Sequence, residues 1–316
     1  MKVEELRTKS PTLLLDAGNA LFAGGGLEDE RLRKKAELIL KALGEMKAAG
    51  MAVGLRDLNV GPAWLKERAQ QAKLPLLSAN LKLNGKPVFE PSRVVTVGGV
   101  RVGLVGVTAP ATFAAFPGLL SESPVPAAIS EAKKLKGKVD LVVVLGAIPH
   151  ADALELVRQA PQDLDLVFQS GDSRSGLSPS QPGDTAFVVS GGERGRILEQ
   201  VEVDLSHGLS RKLPLVDATV TARQRMRISL LDNQISETRR RLAATHDEAI
   251  VREYKATLAS FEQQRALVVK EVEHASPPGG PGGGRPFTVQ PIELGPDVPS
   301  DPTLQAAASG LEPVHL

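Results

Sequence analysis

From Thr12 to Leu205 the chain alternates short apolar runs with amphipathic stretches of helical period. That alternation confines the fold to helices layered on a largely buried sheet, because a short apolar run bounded by turn residues satisfies its backbone by strand pairing. Leu13-Leu14-Leu15 is such a run and ends in Asp16-Ala17-Gly18-Asn19. A helix is predicted over 28–49, with Leu32, Ala36, Ile39, Leu43 and Met46 on one face and Gly50 where a helix stops. Met51–Leu55 reads as a second strand, Gly61–Ala72 as a helix and Leu76–Leu81 as a third strand. Val94–Val97 and Val100–Val107 flank Gly98-Gly99, a strong hairpin signal. Further on, helices at Ile129–Leu135 and Ala151–Gln159 alternate with strands at Leu141–Leu145 and Leu164–Phe168. Phe187–Ser190 and Ile197–Leu205 are expected to pair around Gly191-Gly192. The fold class is therefore α/β with a partly antiparallel sheet.

After Val216 the pattern changes. Ala222–Glu273 contains no Gly or Pro and is rich in Arg, Glu, Gln and Ala. Leu231, Ile235, Thr238 and Leu242 follow helical spacing, as do Tyr254, Leu258, Phe261, Arg265 and Val268 beyond a break at Ala244–Asp247. Thr245 with Glu248 matches a capping box for the second helix. Two helices with a short break predict an antiparallel coiled-coil hairpin. The domain organisation that follows is a 1–216 α/β domain, a 217–275 helical hairpin, a 276–286 Pro/Gly linker and a 287–316 tail with one strand at Phe287–Leu294.

Composition removes several function classes. The formal net charge of +1 and aromatic content of 3% supply neither a field nor stacking platforms for nucleic acid. With no cysteine, disulfides, thiolate metal sites and a Cys nucleophile are excluded. No apolar run approaches a membrane span, and the charged stretch Met1–Pro11 has no secretory h-region. Gly24-Gly25-Gly26 lacks the lysine and spacing of a phosphate loop.

The order of blocks carries a resemblance. Leu13–Phe22 resembles a strand ending in Asp-Ala-Gly-Asp, and Ala52–Gly61 stands where Gly-Asn-His-Glu would precede a helix. Leu74–Leu81 contains Pro-Leu-Leu-Ser-Ala-Asn, Gly99–Pro110 fits the hairpin that follows, and Gly192–Leu205 fits a closing strand. In this order the blocks resemble the 5′-nucleotidase type of calcineurin-like metallophosphoesterases. The resemblance implies two mixed sheets packed face to face with flanking helices, here with the first strand missing, and so exposed strand edges and poor solubility. It also implies phosphoester hydrolysis at two divalent metals held by Asp, Asn and His at strand ends.

In that family frame the bridging Asp corresponds to Asn19, the Asn-His pair to Asp57 and Leu58, the Ser-His loop to Gly146 and Ala147, and the Gly-His-x-His loop to Gly171–Arg174. Candidate metal ligands are accordingly Asn19, Asp57 and Asp172, with His150 nearby, and candidate phosphate-binding residues are Arg56 and Arg174. Each has a plainer reading beside it: Asn19 as turn chemistry, the two aspartates as caps, His150 as a capping histidine and the arginines as exposed loop residues. A guanidinium repels cations and offers no lone pair, so Arg174 disfavours a metal pocket. The chain is expected to be a non-catalytic binding or scaffold protein without a cofactor, its partner a protein or a second copy engaged through the hairpin. The alternative is an active nucleotide hydrolase with a reduced Mn, Zn or Mg site. An upstream start carrying a leader would place the protein in the periplasm or cell envelope.

Overall fold

Three short parallel strands form the first sheet: β1 (Leu15–Asp16), β2 (Gly50–Ala52) and β3 (Leu76–Leu77). The structure, a computed structural model, describes residues 2–22, 29–171, 175–177, 185–191, 195–205, 213–245, 247–274, 283–295 and 298–311. Pairing runs Leu15↔Gly50, Asp16↔Met51 and then Met51↔Leu76, Ala52↔Leu77. Helix α2 (Glu30–Glu45) connects the first two strands and α3 (Pro62–Gln71) the next two. Asp29 starts α2 by accepting the N–H groups of Arg31 and Leu32, which have no partner inside the helix. Parallel strands joined by helices bring their C-terminal ends to one rim, so the loops after Asp16 and Ala52 become neighbours.

The second sheet has six strands in the order β12-β13-β11-β10-β7-β6. The hairpin read from Gly98-Gly99 is present as β6 (Ser92–Val97) and β7 (Val100–Thr108). Parallel to β7 lie β10 (Leu141–Ala147), β11 (Leu166–Gln169) and β13 (Phe187–Gly191), while β12 (Ser175–Leu177) is antiparallel to β13. Alternation along β10 divides its side chains. Val142 and Val144 pack with α4 (Pro124–Leu135) and α5 (His150–Gln159), whereas Leu145 approaches Gly50 of the first sheet. Met51 and Val53 in turn pack with Ala36 and Leu40 of α2 and Leu65 of α3. The result is two sheets face to face with helices on both outer sides.

Leu76–Leu81 is not one strand. It divides into β3 and β4 (Leu81–Leu83), and the buried Asn80 between them explains why. Its Nδ2 donates to the carbonyls of Thr108 (2.6 Å) and Glu122 (2.7 Å), and its Oδ1 accepts the Thr108 N–H at 2.9 Å. These bonds steer the chain into a small antiparallel sheet with β5 (Lys86–Pro87), β8 (Ala111–Thr112) and β9 (Leu119–Ser121).

The described chain divides into two compact units. The first, Met1–Gln200 with Leu209–Lys212 and Val289–Leu316, holds both sheets, α1 (Lys2–Lys9) and α8 (Pro302–Ser309). The last helix was not anticipated, although Asp301 caps it from directly before Pro302. The second, Val201–Gly208 with Leu213–Thr288, is built around the hairpin. β14 (Ile197–Val203), β15 (Leu215–Asp217) and β16 (Arg285–Glu293) form a sheet of order β14-β16-β15. The expected pairing of Phe187–Ser190 with Ile197–Leu205 is thus corrected. β13 lies between β11 and β12, so both of its edges are already paired, and β14 belongs to another sheet.

Helices α6 (Thr219–Ala244) and α7 (Glu248–His274) form the hairpin. Leu231, Ile235, Thr238 and Val268 are buried along its seam, and cross-helix pairs Arg265–Asp232 (2.5 Å) and Arg239–Glu262 (2.7 Å) run in antiparallel order. The second helix is capped by Asp247, which accepts the N–H groups of Ala249 and Ile250, and not by Thr245, which closes α6. Among the described residues, no helix is long and apolar enough to cross a membrane. Most of the predicted linker, 276–282, lies outside the described residues.

Candidate functional site

At the rim where β1, β2, β10 and β11 end, backbone lies against backbone. Gly18 has φ +88°, and a Cβ there would stand 2.5 Å from the Ala52 carbonyl oxygen and 3.0 Å from the Ala147 Cβ. A side chain at Gly54 would overlap the Asn19 amide, and one at Gly171 would come within 3.3 Å of Asn19 Nδ2. Ser170 Oγ donates to the Ala17 carbonyl at 2.8 Å, tying the end of the second sheet to the loop after β1.

Asp57 organises this rim. It sits in a short 3₁₀ turn, Arg56–Leu58, and is fully buried. Its Oδ2 accepts the N–H of Asn19 and of Gly54, each at 2.8 Å, and its Oδ1 accepts the N–H of Leu21 at 3.0 Å. Burial pushes the Asp57 carboxyl up to about 7, outweighing the three N–H donors that favour its ionised form, and nearby Asp16 adds to the rise. Burial also raises Asp16, against the Gly18 N–H that its Oδ1 accepts at 2.7 Å.

Asn19 holds a left-handed backbone, φ 61°, and its Oδ1 accepts the Arg56 N–H at 3.2 Å. The structure therefore brings Asn19, Arg56 and Asp57 together, with the Arg56 side chain exposed at the rim. His150 opens α5, three residues beyond the end of β10. Asp172 and Arg174 lie outside the described residues. Gln169 and Ser190, absent from the sequence-derived candidates, form a buried neutral chain. Ser190 Oγ donates to Gln169 Oε1 at 2.8 Å, and Gln169 Nε2 donates to the carbonyls of Ile148 and Ser170, each at 2.9 Å. An isolated glutamine in an apolar run carries no sequence signal of such a role.

The described donors do not fit a pair of divalent metals. A carboxylate has roughly four lone-pair positions, and three at Asp57 are occupied by N–H groups. One of the two lone pairs of Asn19 Oδ1 accepts the Arg56 N–H, and an arginine in this loop adds positive charge that disfavours a cation nearby. Among the described residues no three His, Cys, Asp or Glu side chains converge.

No family model matches this chain. It is 31% identical over 195 residues to human 5′-nucleotidase, covering 57% of this chain and 33% of that protein. The solved 5′-nucleotidase precursor of Thermus thermophilus superposes with a TM-score of 0.54 at 22% identity, covering 64% of this chain and 44% of its own. The calcineurin-like phosphoesterase YfkN of Bacillus subtilis gives a TM-score of 0.53 at 18% identity, with 64% and 74% covered. In sequence and in fold this chain is similar to 5′-nucleotidases and calcineurin-like phosphoesterases. Its two-sheet architecture with outer helices is the fold they share. The chain spans between 24% and 33% of the length of the curated relatives it matches.

Proposed function

We propose that this metallophosphoesterase-like domain binds without hydrolysing, and that the helical hairpin is its interaction arm. The observation that carries this reading is the Asp57 carboxylate, turned inward onto the N–H groups of Asn19, Leu21 and Gly54. A group committed to holding two loops together is not free to hold a metal, and the neutral Gln169–Ser190 pair at the end of the second sheet adds no anionic charge. In this reading the rim keeps the superfamily's loop geometry as a rigid scaffold.

The competing reading is metal-dependent hydrolysis of a nucleotide at a reduced site. It draws on the relatives, which are 5′-nucleotidases and an apyrase. Asp172 would have to supply a ligand there. Assay of the purified chain on nucleoside monophosphates with Mn²⁺, Zn²⁺ or Mg²⁺ separates the two. The binding reading expects no release of phosphate above a metal-only control. Turnover that disappears in Asp57→Asn or Asp172→Asn would falsify it.

A further inference from the structure

One edge of the six-stranded sheet is β6, which borders β7 on one side. Its turn fixes which backbone groups face outward. Gly98 and Gly99 hold φ +55° and +82°, the two-residue turn of a tight antiparallel hairpin. At the other end Gly106 N–H donates to the Pro91 carbonyl at 3.2 Å. The register carries that inward bonding to every second residue, Arg93, Val95 and Val97. Ser92, Val94 and Thr96 therefore turn their N–H and C=O groups away from the sheet. Among the described residues no strand borders them, and the backbone bonds outside the ladder include none of the three. Natural edges are guarded by proline, lysine or a bulge, and β6 runs in unbroken register with none of these. Its one charged residue, Arg93, lies on the opposite face from Val94. Val94, at the centre of the outward set, is 47% exposed.

We propose that β6 pairs antiparallel with β6 of a second copy, about a two-fold axis at Val94, joining two sheets into one. In that register Val94 faces Val94, and Ser92 of each copy faces Thr96 of the other, so every outward N–H meets a carbonyl. Ser92 Oγ donates to Glu131 Oε2 at 3.0 Å and keeps its lone pairs for the Thr96 hydroxyl across the axis. Arg93 falls opposite Val95 and not opposite itself, so no like charges stand face to face. A second copy brings an edge that is already extended, whereas a loose peptide must give up chain entropy to become one. One strand pair buries less than the about 800 Å² per partner of a standard interface, so the dimer belongs to concentrated solution.

Amide hydrogen exchange of the full chain, read by mass spectrometry with fragmentation between about 1 µM and about 1 mM, tests this. The amides of Val94 and Thr96 should exchange readily in dilute solution and slow by about fivefold or more in concentrated solution. Those of Arg93, Val95 and Val97 should be protected in both. Sedimentation equilibrium should show a monomer passing to a dimer over the same range. Val94→Lys sets two ammonium groups facing on the axis and should weaken the dimer by about tenfold. Thr96→Pro removes an outward N–H, leaves the ladder to β7 intact and should weaken the dimer as well. Circular dichroism checks that both variants fold. Exchange at Val94 and Thr96 that ignores concentration overturns the proposal. So does full protection in dilute solution, a dimer indifferent to both variants, or a monomer whose edge takes only an extended peptide of another protein. None of these outcomes bears on phosphate release, so failure here is distinguishable from failure of the non-hydrolytic reading.

Discussion

The Asp57 carboxylate accepts the backbone N–H of Asn19 at 2.8 Å across 38 positions of sequence. With Gly54 and Leu21 on the same side chain, that bond closes the loops after β1 and β2 onto one another. Replacing Asp57 by Ala would leave three donors facing a hole, each costing about 1–3 kcal/mol when buried without a partner. The expected loss is roughly 3 kcal/mol or more, read from the denaturant midpoint in urea. A loss below about 1 kcal/mol would show that these loops hold without the carboxylate.

The same residue sets a pH dependence. Folded Asp57 keeps its proton up to about pH 7, against an ordinary value of 3.8. Between those values the folded chain binds a proton that the unfolded chain releases, so this group's stabilisation is present at low pH and lost as pH rises toward 7. The slope is at most about 1.4 kcal/mol per pH unit. Asp16, also raised, acts in the same direction. Unfolding of the wild type and of Asp57→Asn at pH 5 and pH 7 isolates the effect. The difference in stability between the two proteins should narrow at pH 7, and an unchanged difference would contradict the assignment.

Gly18 is predicted to tolerate no side chain. Its backbone is left-handed, and the Ala52 carbonyl lies where a Cβ would go. Gly18→Ala should cost roughly 2 kcal/mol or more by combining strain with a backbone clash. Thermal unfolding compared with Gly85→Ala, where φ is also positive but nothing lies within 4 Å, separates the clash from the strain.

In the hairpin, Ile235 is buried in the seam, whereas Asp232 and Arg265 pair near the surface. Ile235→Ala should therefore destabilise by about 2–4 kcal/mol through lost apolar contact and a residual cavity. Asp232→Ala should cost no more than about 1 kcal/mol, as exposed ion pairs do. Helix melting followed by circular dichroism ranks the two, and the reverse order would mean that charge holds the hairpin.

Local chemistry explains what was legible. Gly98-Gly99 announced β6 and β7, and the periodicity around Leu231 and Ile235 announced the hairpin, because turn residues and helical period act over a few positions. Asn80 was visible as part of a motif, but its bonds to Thr108 and Glu122 join segments far apart in the chain, so the break after Leu77 was not. The partner of β13 failed for the same reason: strand neighbours are a property of the whole sheet. At the rim, sequence order pointed to Asn19, Arg56 and Asp57, and the structure brings these three together. What order could not reveal is direction. Whether Asp57 faces a cavity or the backbone depends on the packing of Gly18 and Gly54, and only the assembled loops decide it.

Titration of Mn²⁺ and Zn²⁺ into the metal-stripped chain, followed by calorimetry, decides whether this rim holds a metal. With Asp57 held by three N–H groups and Asn19 by Arg56, neither ion should give saturable heat at the rim. Stoichiometric binding that Asp57→Asn abolishes would contradict the account and restore a metal-dependent hydrolase.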